Sequence, residues 1–402
     1  MRISTQLMYD AGTKAISKQQ GDLYKTQQQL DSGKRVLSPS DDPIASSRVV
    51  IVAQAEAGNE QYTRNLDNAK SALAQTESVL GEIGAVLADA KVLAVTAGNG
   101  ALQDSDRHSI AQELRGKFEQ LLGLANSQDG SGKYLFSGYR EDTQPFSGSL
   151  SAVSYNGDNG DRQAQVSPAQ TLSVGSNGAA IFRDIKNGNG VFAGSTAATN
   201  LGTGVLQNGR MVDTTLWNGD AYAIQFNVVA GATTYDIVDT TSATTISSGI
   251  PYANGGSITF GGIQVEIKGD PANGDTFTVA PSQNQSVFAT LKNIITALES
   301  PTTSGADKAQ FQNQMNRAFV DLDQASNQAL ATRTRVGAAQ KQVEDLGSAN
   351  DVQKEQRQSE MAGLQELDYA KAISDYTRQM TVLEAAQRTQ AAISKLSLFN
   401  FL

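Results

Sequence analysis

The sequence predicts a mainly α protein with β. A long antiparallel helical rod, or coiled coil, forms from the N- and C-terminal segments, with a β-hairpin region and an inserted β domain pointing outward. Three observations carry that reading. A mostly apolar stripe recurs at four-three spacing in Tyr62, Leu66, Ala69, Leu73, Thr76, Leu80, Ile83, Leu87 and Ala90. A second follows in Phe311, Met315, Ala318, Leu322, Ala325, Ala329, Thr332, Val336, Ala339, Val343 and Leu346. Each winds along one helix face and needs another helix to cover it. Prolines stand at 39, 43, 145, 168, 251, 271, 281 and 301, so 44–144 and 302–402 lack the residue that breaks helices. Of 37 glycines, 23 lie between 130 and 282, which makes the middle rich in turns and strands.

In chain order, Tyr9, Ile16, Leu23 and Leu30 recur every seven residues, but the positions between them are polar (Thr13, Gln20, Gln27). This first helix has half an apolar stripe and is marginal alone. The segment GKRVLSPSDDP at 33–43 breaks it, with Asp42 as N-cap and Pro43 as first residue of the next helix. That helix runs from about 44 to about 97, roughly 80 Å. GNGALQ turns the chain, and Asp104 to Asp106 cap a helix to about 128 whose buried side holds Ile110, Leu114, Phe118, Leu121 and Leu122.

From 130 to about 185, YLFSG, VSYNGDNG and TLSVGSNG read as short strands between turns. Between about 187 and 282, Tyr222, Ile224, Phe226 and Val228 alternate, as do Ile263, Val265 and Ile267, then Phe277 and Val279. Period two with these residue types predicts a half-buried antiparallel sheet. The stretch 184–282 holds eight acidic and three basic residues, so the module is acidic. Helix returns near 286, and Pro301 with Gly305 separates a short helix from the second long stripe. Residues 347–362 are strongly polar and interrupt the apolar pattern. Tyr369, Ile373, Tyr376, Met380 and Leu383 then restart it before the apolar close LSLFNFL.

Composition narrows the function classes. Net charge is −9 with no basic block, which argues against nucleic acid or an anionic membrane as partner. With no cysteine and only His108, disulfides, thiolate sites and two-histidine zinc motifs are excluded. GSGKY at 130–134 lacks the first glycine of a phosphate loop, where Ser127 stands, and the hydroxyl after its lysine, where Tyr134 stands. It reads as a turn. Asp104, Asp106 and His108 read as caps and dipole partners. Ser38, Ser40, Asp41 and Asp42 lack the spacing and central glycine of a calcium loop. No catalytic, metal or cofactor site is expected, and the chain is not expected to be an enzyme.

The stripes of 44–128 and 306–346 can cover each other within one chain. The ends have no such internal cover, and a neighbouring copy is the expected partner. The expected assembly residues are Ile3, Leu7, Tyr9, Ile16, Leu23 and Leu30, with Tyr369, Ile373, Tyr376, Met380, Leu383, Ile393, Leu396, Leu398, Phe399, Phe401 and Leu402.

MRISTQLMYD, LDSGKRVLSPSDDPIASSR, GNGALQDSDR and ANSQDGSGKYLFSGY closely resemble the flagellin family over about 1–185 and 283–402. The start MRIST and the close SLFNFL resemble the hook-associated members at the hook–filament junction. The resemblance implies inner axial helices at 1–43 and 354–402. It implies a middle domain from 44–185 and 283–353, and an outer β insert at 186–282, whose DPANGDTFTV is similar to a module of larger hook-associated proteins. It also implies a ring of like subunits joining hook-associated protein 1 to flagellin. An export chaperone would hold the C-terminal helix, and the extracellular location would be reached without a cleaved leader. Filament flagellin itself, or a surface adhesin acting through the insert, is the alternative reading.

Overall fold

The structure, a computed structural model, describes residues 5–100 and 102–395. Among the described residues there are six α-helices: α1 Thr5–Ser32, α2 Pro43–Ala97, α3 Asp104–Ala125, α4 Val287–Glu299, α5 Gly305–Gln365 and α6 Tyr369–Lys395. Two compact units share them. One takes residues up to Arg64 together with those from Asp345, and the other is Asn65–Glu344.

Local chemistry sets the helix ends. Asp42 Oδ1 accepts from Ala45 N at 2.9 Å and caps α2, whose first residue is Pro43. α3 is capped one residue before the expected aspartates. Gln103 is its N-cap, and Asp106 Oδ2 accepts from Gln103 N at 3.2 Å to complete a capping box. Asp104 turns instead to Arg107 and Thr302. Ser286 Oγ accepts from Ala289 N at 3.1 Å and caps α4.

Within Asn65–Glu344, α2 and α5 run antiparallel, since Glu77 meets Arg333 at 2.7 Å and Lys91 meets Asp323 further along. Both predicted stripes face inward. Leu66, Leu73, Leu80, Ile83 and Leu87 are buried on α2; Met315, Leu322, Ala325, Val336 and Val343 are buried on α5. Each fully buried leucine contributes about 1.5–3 kcal/mol. α3 and α4 add a second layer, held by Arg115 bidentate on Glu299 at 2.7 and 2.9 Å. Phe118 meets Phe288 edge-on at 5.6 Å, and Phe136, Phe146 and Phe182 complete that aromatic cluster.

Two hairpins follow: β1 Phe146–Ser149 with β2 Ala152–Tyr155, which brings Tyr155 to the cluster, and β3 Gln163–Ser167 with β4 Gln170–Ser173, where Asn65 of α2 donates to Gln165 O at 2.7 Å. YLFSG is not a strand. Tyr134 makes one bridge to Gln128, and Gly138 at φ +72° turns the chain while Phe136 is buried. A π-helical turn, Ala179–Arg183, precedes β5 Ile185–Lys186, which pairs with β15 Asn284–Gln285.

The insert is a two-sheet β sandwich. Its larger sheet has the antiparallel order β11 Thr244–Pro251, β10 Ala232–Asp239, β9 Tyr222–Val229, β14 Thr276–Pro281, β6 Phe192–Thr196. The smaller has β12 Ser257–Phe260, β13 Ile263–Lys268 and β7 Val205–Leu206, with β8 Arg210–Met211 also on β13. Tyr222, Ile224, Phe226, Ile263, Val265, Ile267, Phe277 and Val279 meet in one core, as their alternation predicts; Val228 is half-buried. Polar side chains of α5 hold this sandwich. Gln310 donates to Ala197 O at 2.7 Å, and Asn313 Oδ1 accepts from Leu206 N at 2.7 Å. Asp321 Oδ1 accepts from Gly188 N at 2.8 Å; burial raises the Asp321 pKa, while that bond and Arg317 oppose the rise.

Candidate assembly surface

The unit of the chain ends is built from α1, α6 and the adjoining ends of α2 and α5. α1 and α6 lie antiparallel: Gln390 Nε2 donates to Tyr9 O at 3.4 Å, and Thr26 Oγ1 donates to Gln379 Oε1 at 3.0 Å. Few side chains are fully buried in this contact. On α1 the only fully buried side chain among the described residues is Thr26, and Ile16, Leu23 and Leu30 are half-buried. On α6 Ala372 is buried, while Tyr376 and Leu383 are half-buried.

Large apolar groups face outward instead. On α1, Leu7 is 64% exposed, and Met8, Tyr9 and Tyr24 are also exposed. On α6, Ile373 is 55% and Met380 50% exposed, with Tyr369 and Val382 beside them in sequence. Tyr369, Ile373 and Met380 fall within about 40° of one another on the helical wheel. Tyr376, Met380 and Leu383 line a shallow groove along α6. A helix pair that leaves large apolar groups in water beyond its own contact is arranged for a partner.

The corner between α1 and α2 is tightly tied. Gly33, at φ +69°, ends α1 in the left-handed conformation that favours glycine, and its carbonyl accepts from Leu367 N at 3.0 Å. Lys34 bridges Glu366, and Arg35 N donates to Gln365 O at 2.7 Å. Asp41 pairs with Lys25 at 2.7 Å and accepts from Leu37 N and Ser38 N. The Lys25 ammonium, then those amides, pull the Asp41 pKa from 3.8 down to about 2. Further along, Arg48 pairs with Glu360 at 2.7 Å across α2 and α5.

Of the expected assembly residues, Leu7, Tyr9, Tyr369, Ile373 and Met380 are exposed. Ile16, Leu23, Leu30, Tyr376 and Leu383 sit half-buried toward the α1–α6 contact. Ile3, Leu396, Leu398, Phe399, Phe401 and Leu402 lie outside the described residues, as does the side chain of Ile393. Exposed Met8, Tyr24, Val382, Ile44, Val50 and Ile51 were not expected. Their sequence signal is an apolar residue off the main stripe of its helix.

The remaining sequence candidates have local roles. Asp129 Oδ1 accepts from Ser131 N and Lys133 N and holds the 130–134 turn, and His108 Nδ1 lies 2.7 Å from Asp104 O. Among the described residues no three His, Asp or Glu gather as metal ligands, and no helix is long and apolar enough to cross a membrane.

Residues 3–141 match the family described as the bacterial flagellin N-terminal helical region. Over 185 residues, 46% of this chain, the sequence is 42% identical to flagellar hook-associated protein 3 of Salmonella typhimurium, of which the match spans 58%. Xanthomonas campestris FlgL superposes with a TM-score of 0.72 at 32% identity, covering 77% of this chain and 99% of that one. The flagellar junction protein FlgL of Legionella pneumophila superposes with a TM-score of 0.72 at 30% identity, covering 79% and 100%.

Proposed function

The chain belongs to the flagellar hook-associated protein 3 (FlgL) family, and on that premise we propose that it joins hook-associated protein 1 at the hook to the flagellin filament. Its role is structural. Copies of the chain form a ring, and the outward apolar groups of α1 and α6 are what adjoining subunits cover. An export chaperone holds the C-terminal helix before assembly, and the protein works outside the cell as part of the flagellum.

The carrying observation is the apolar surface left in water on the terminal helices. Thr26 and Gln379 occupy the contact between them, while Leu7, Ile373 and Met380 face water. Covering such groups in an assembly recovers about 25 cal/mol per Å² of apolar surface. That gain offsets the roughly 1–2 kcal/mol per residue of ordering backbone. The same exposed apolar surface gives hook-associated protein 1, flagellin or a chaperone something to hold.

Immunogold labelling of intact cells tests the reading. One point of label between hook and filament is expected. Label along the whole filament would replace the junction role with that of flagellin, and label absent from flagella would remove both.

A further inference from the structure

The seam between α2 and α5 changes chemistry inside the terminal unit. Following the four-three spacing, α2 places Val52, Glu56 and Asn59 on it, and α5 places Asn350 and Arg357. Glu56, Asn59 and Asn350 are buried, and Arg357 keeps a quarter of its side chain exposed. Asn59 Nδ2 donates to Asn350 O at 3.1 Å, and Arg357 Nη1 stands 3.8 Å from Glu56 Oε2. Among the described residues, neither Glu56 oxygen, nor Arg357 Nη1, nor Asn350 Nδ2 has a hydrogen-bond partner. Arg357 Nη2 donates to Gln353 Oε1 at 3.0 Å, but the buried Glu56 carboxylate has no such bond, so at 3.8 Å the pair recovers little of its desolvation cost, and leucines there would pack at least as stably. Stability is therefore not its use. Buried polar groups on a helical seam serve to select one pairing over others.

We propose that Glu56 and Arg357, with Asn59 and Asn350, form a register lock on the antiparallel pairing of 43–64 with 345–365. A slip of one heptad, about 10 Å, sets Arg357 against Val49 or Thr63 and Glu56 against Asn350 or Leu364. Glu56 is then buried without its cation and Arg357 without its carboxylate, while the purely apolar positions would lose far less. The register matters because α1 and α6 are carried on these two helices through the corner at Gly33 and Leu367. A slip would carry their apolar stripes out of step.

The native chain has no cysteine, so introduced thiols report cleanly. In the full chain, Arg48→Cys with Glu360→Cys marks the observed register, where those side chains meet at 2.7 Å. Arg48→Cys with Gln353→Cys marks the one-heptad slip. With a short thiol-to-thiol crosslinker, the parent is expected to give only the first product. Glu56→Leu with Arg357→Leu should raise the slipped product at least about tenfold. Glu56→Arg with Arg357→Glu, which keeps a charge pair, should suppress it again. A leucine variant that stays wholly in register overturns the lock and leaves the apolar seam further along the same two helices, with the bridge at Lys34 and Glu366, as sufficient. Equal slippage in the reversed-charge variant overturns it too, as does loss of both products in the leucine variant, because the lock predicts repacking and not unfolding.

Discussion

Replacing Ile373 and Met380 together by serine should separate assembly from folding. Both side chains are about half exposed on α6, so about half the burial of each is still to be gained from a partner. Full burial of such a side chain is worth about 1.5–3 kcal/mol, which leaves about 0.75–1.5 for each and about 1.5–3 for the pair. At 1.4 kcal/mol per tenfold, the double variant should bind its neighbours between about 10- and 150-fold more weakly. The free subunit should keep its stability to within about 0.5 kcal/mol per site, as exposed positions do. Leu322→Ala, at a fully buried seam position, should instead cost about 2–5 kcal/mol of folding stability. Urea melts of the free subunits and the amount of each variant retained on sheared flagella give the two readouts. Wild-type retention of the serine variant would refute the reasoning, as would a folding loss matching that of Leu322→Ala.

Other outcomes follow from the same geometry. Asn313→Ala leaves Leu206 N buried without its acceptor, so it should cost about 1–3 kcal/mol and speed hydrogen exchange at Leu206; unchanged exchange there would disprove the docking role of Asn313. Gly33→Ala should destabilise the terminal unit by about 1–2 kcal/mol, because a non-glycine residue resists φ +69° and its Cβ would come within 2.8 Å of the Tyr369 hydroxyl; an unchanged thermal midpoint would count against this. Asp41 titrates at about 2 in the folded chain, below the ordinary 3.8, so its contribution to the corner is complete above pH 3.8 and lost as pH falls toward 2. Carbon NMR of its carboxyl should show that low midpoint, and Lys25→Met should move it upward; a midpoint of 3.8 in both proteins would remove Lys25 as the cause.

Much of the fold was legible because it rests on periodicity. The two stripes fell on α2 and α5 and are buried, and alternation in Tyr222–Phe226 and Ile263–Ile267 marked inward strand faces. Asp42 and Pro43 marked a helix start because capping depends on neighbouring residues alone. Residues 347–362 break the apolar pattern, yet α5 continues through them to Gln365, because Gln, Lys, Glu, Arg and Met are good helix formers without an apolar face. The strand order of the sandwich was not legible, since distant segments decide it. Nor was its docking: Gln310, Asn313 and Asp321 are polar residues on a helix, and only the partner backbone distinguishes them from surface groups. The candidate surface was half legible, because a weak stripe shows which helices want a partner. Whether Ile16 or Ile373 faces that partner depends on how α1 and α6 rotate against each other, which sequence spacing does not state.

Hydrogen exchange on the free subunit and on intact flagella compares the chain ends in their two settings. Amides of Tyr9–Leu30 and Tyr369–Leu383 should exchange faster than those of the Leu66–Ala90 seam in the free subunit, then become strongly protected in flagella. Equal, strong protection of those two stretches in both settings would contradict an assembly that completes its terminal helices.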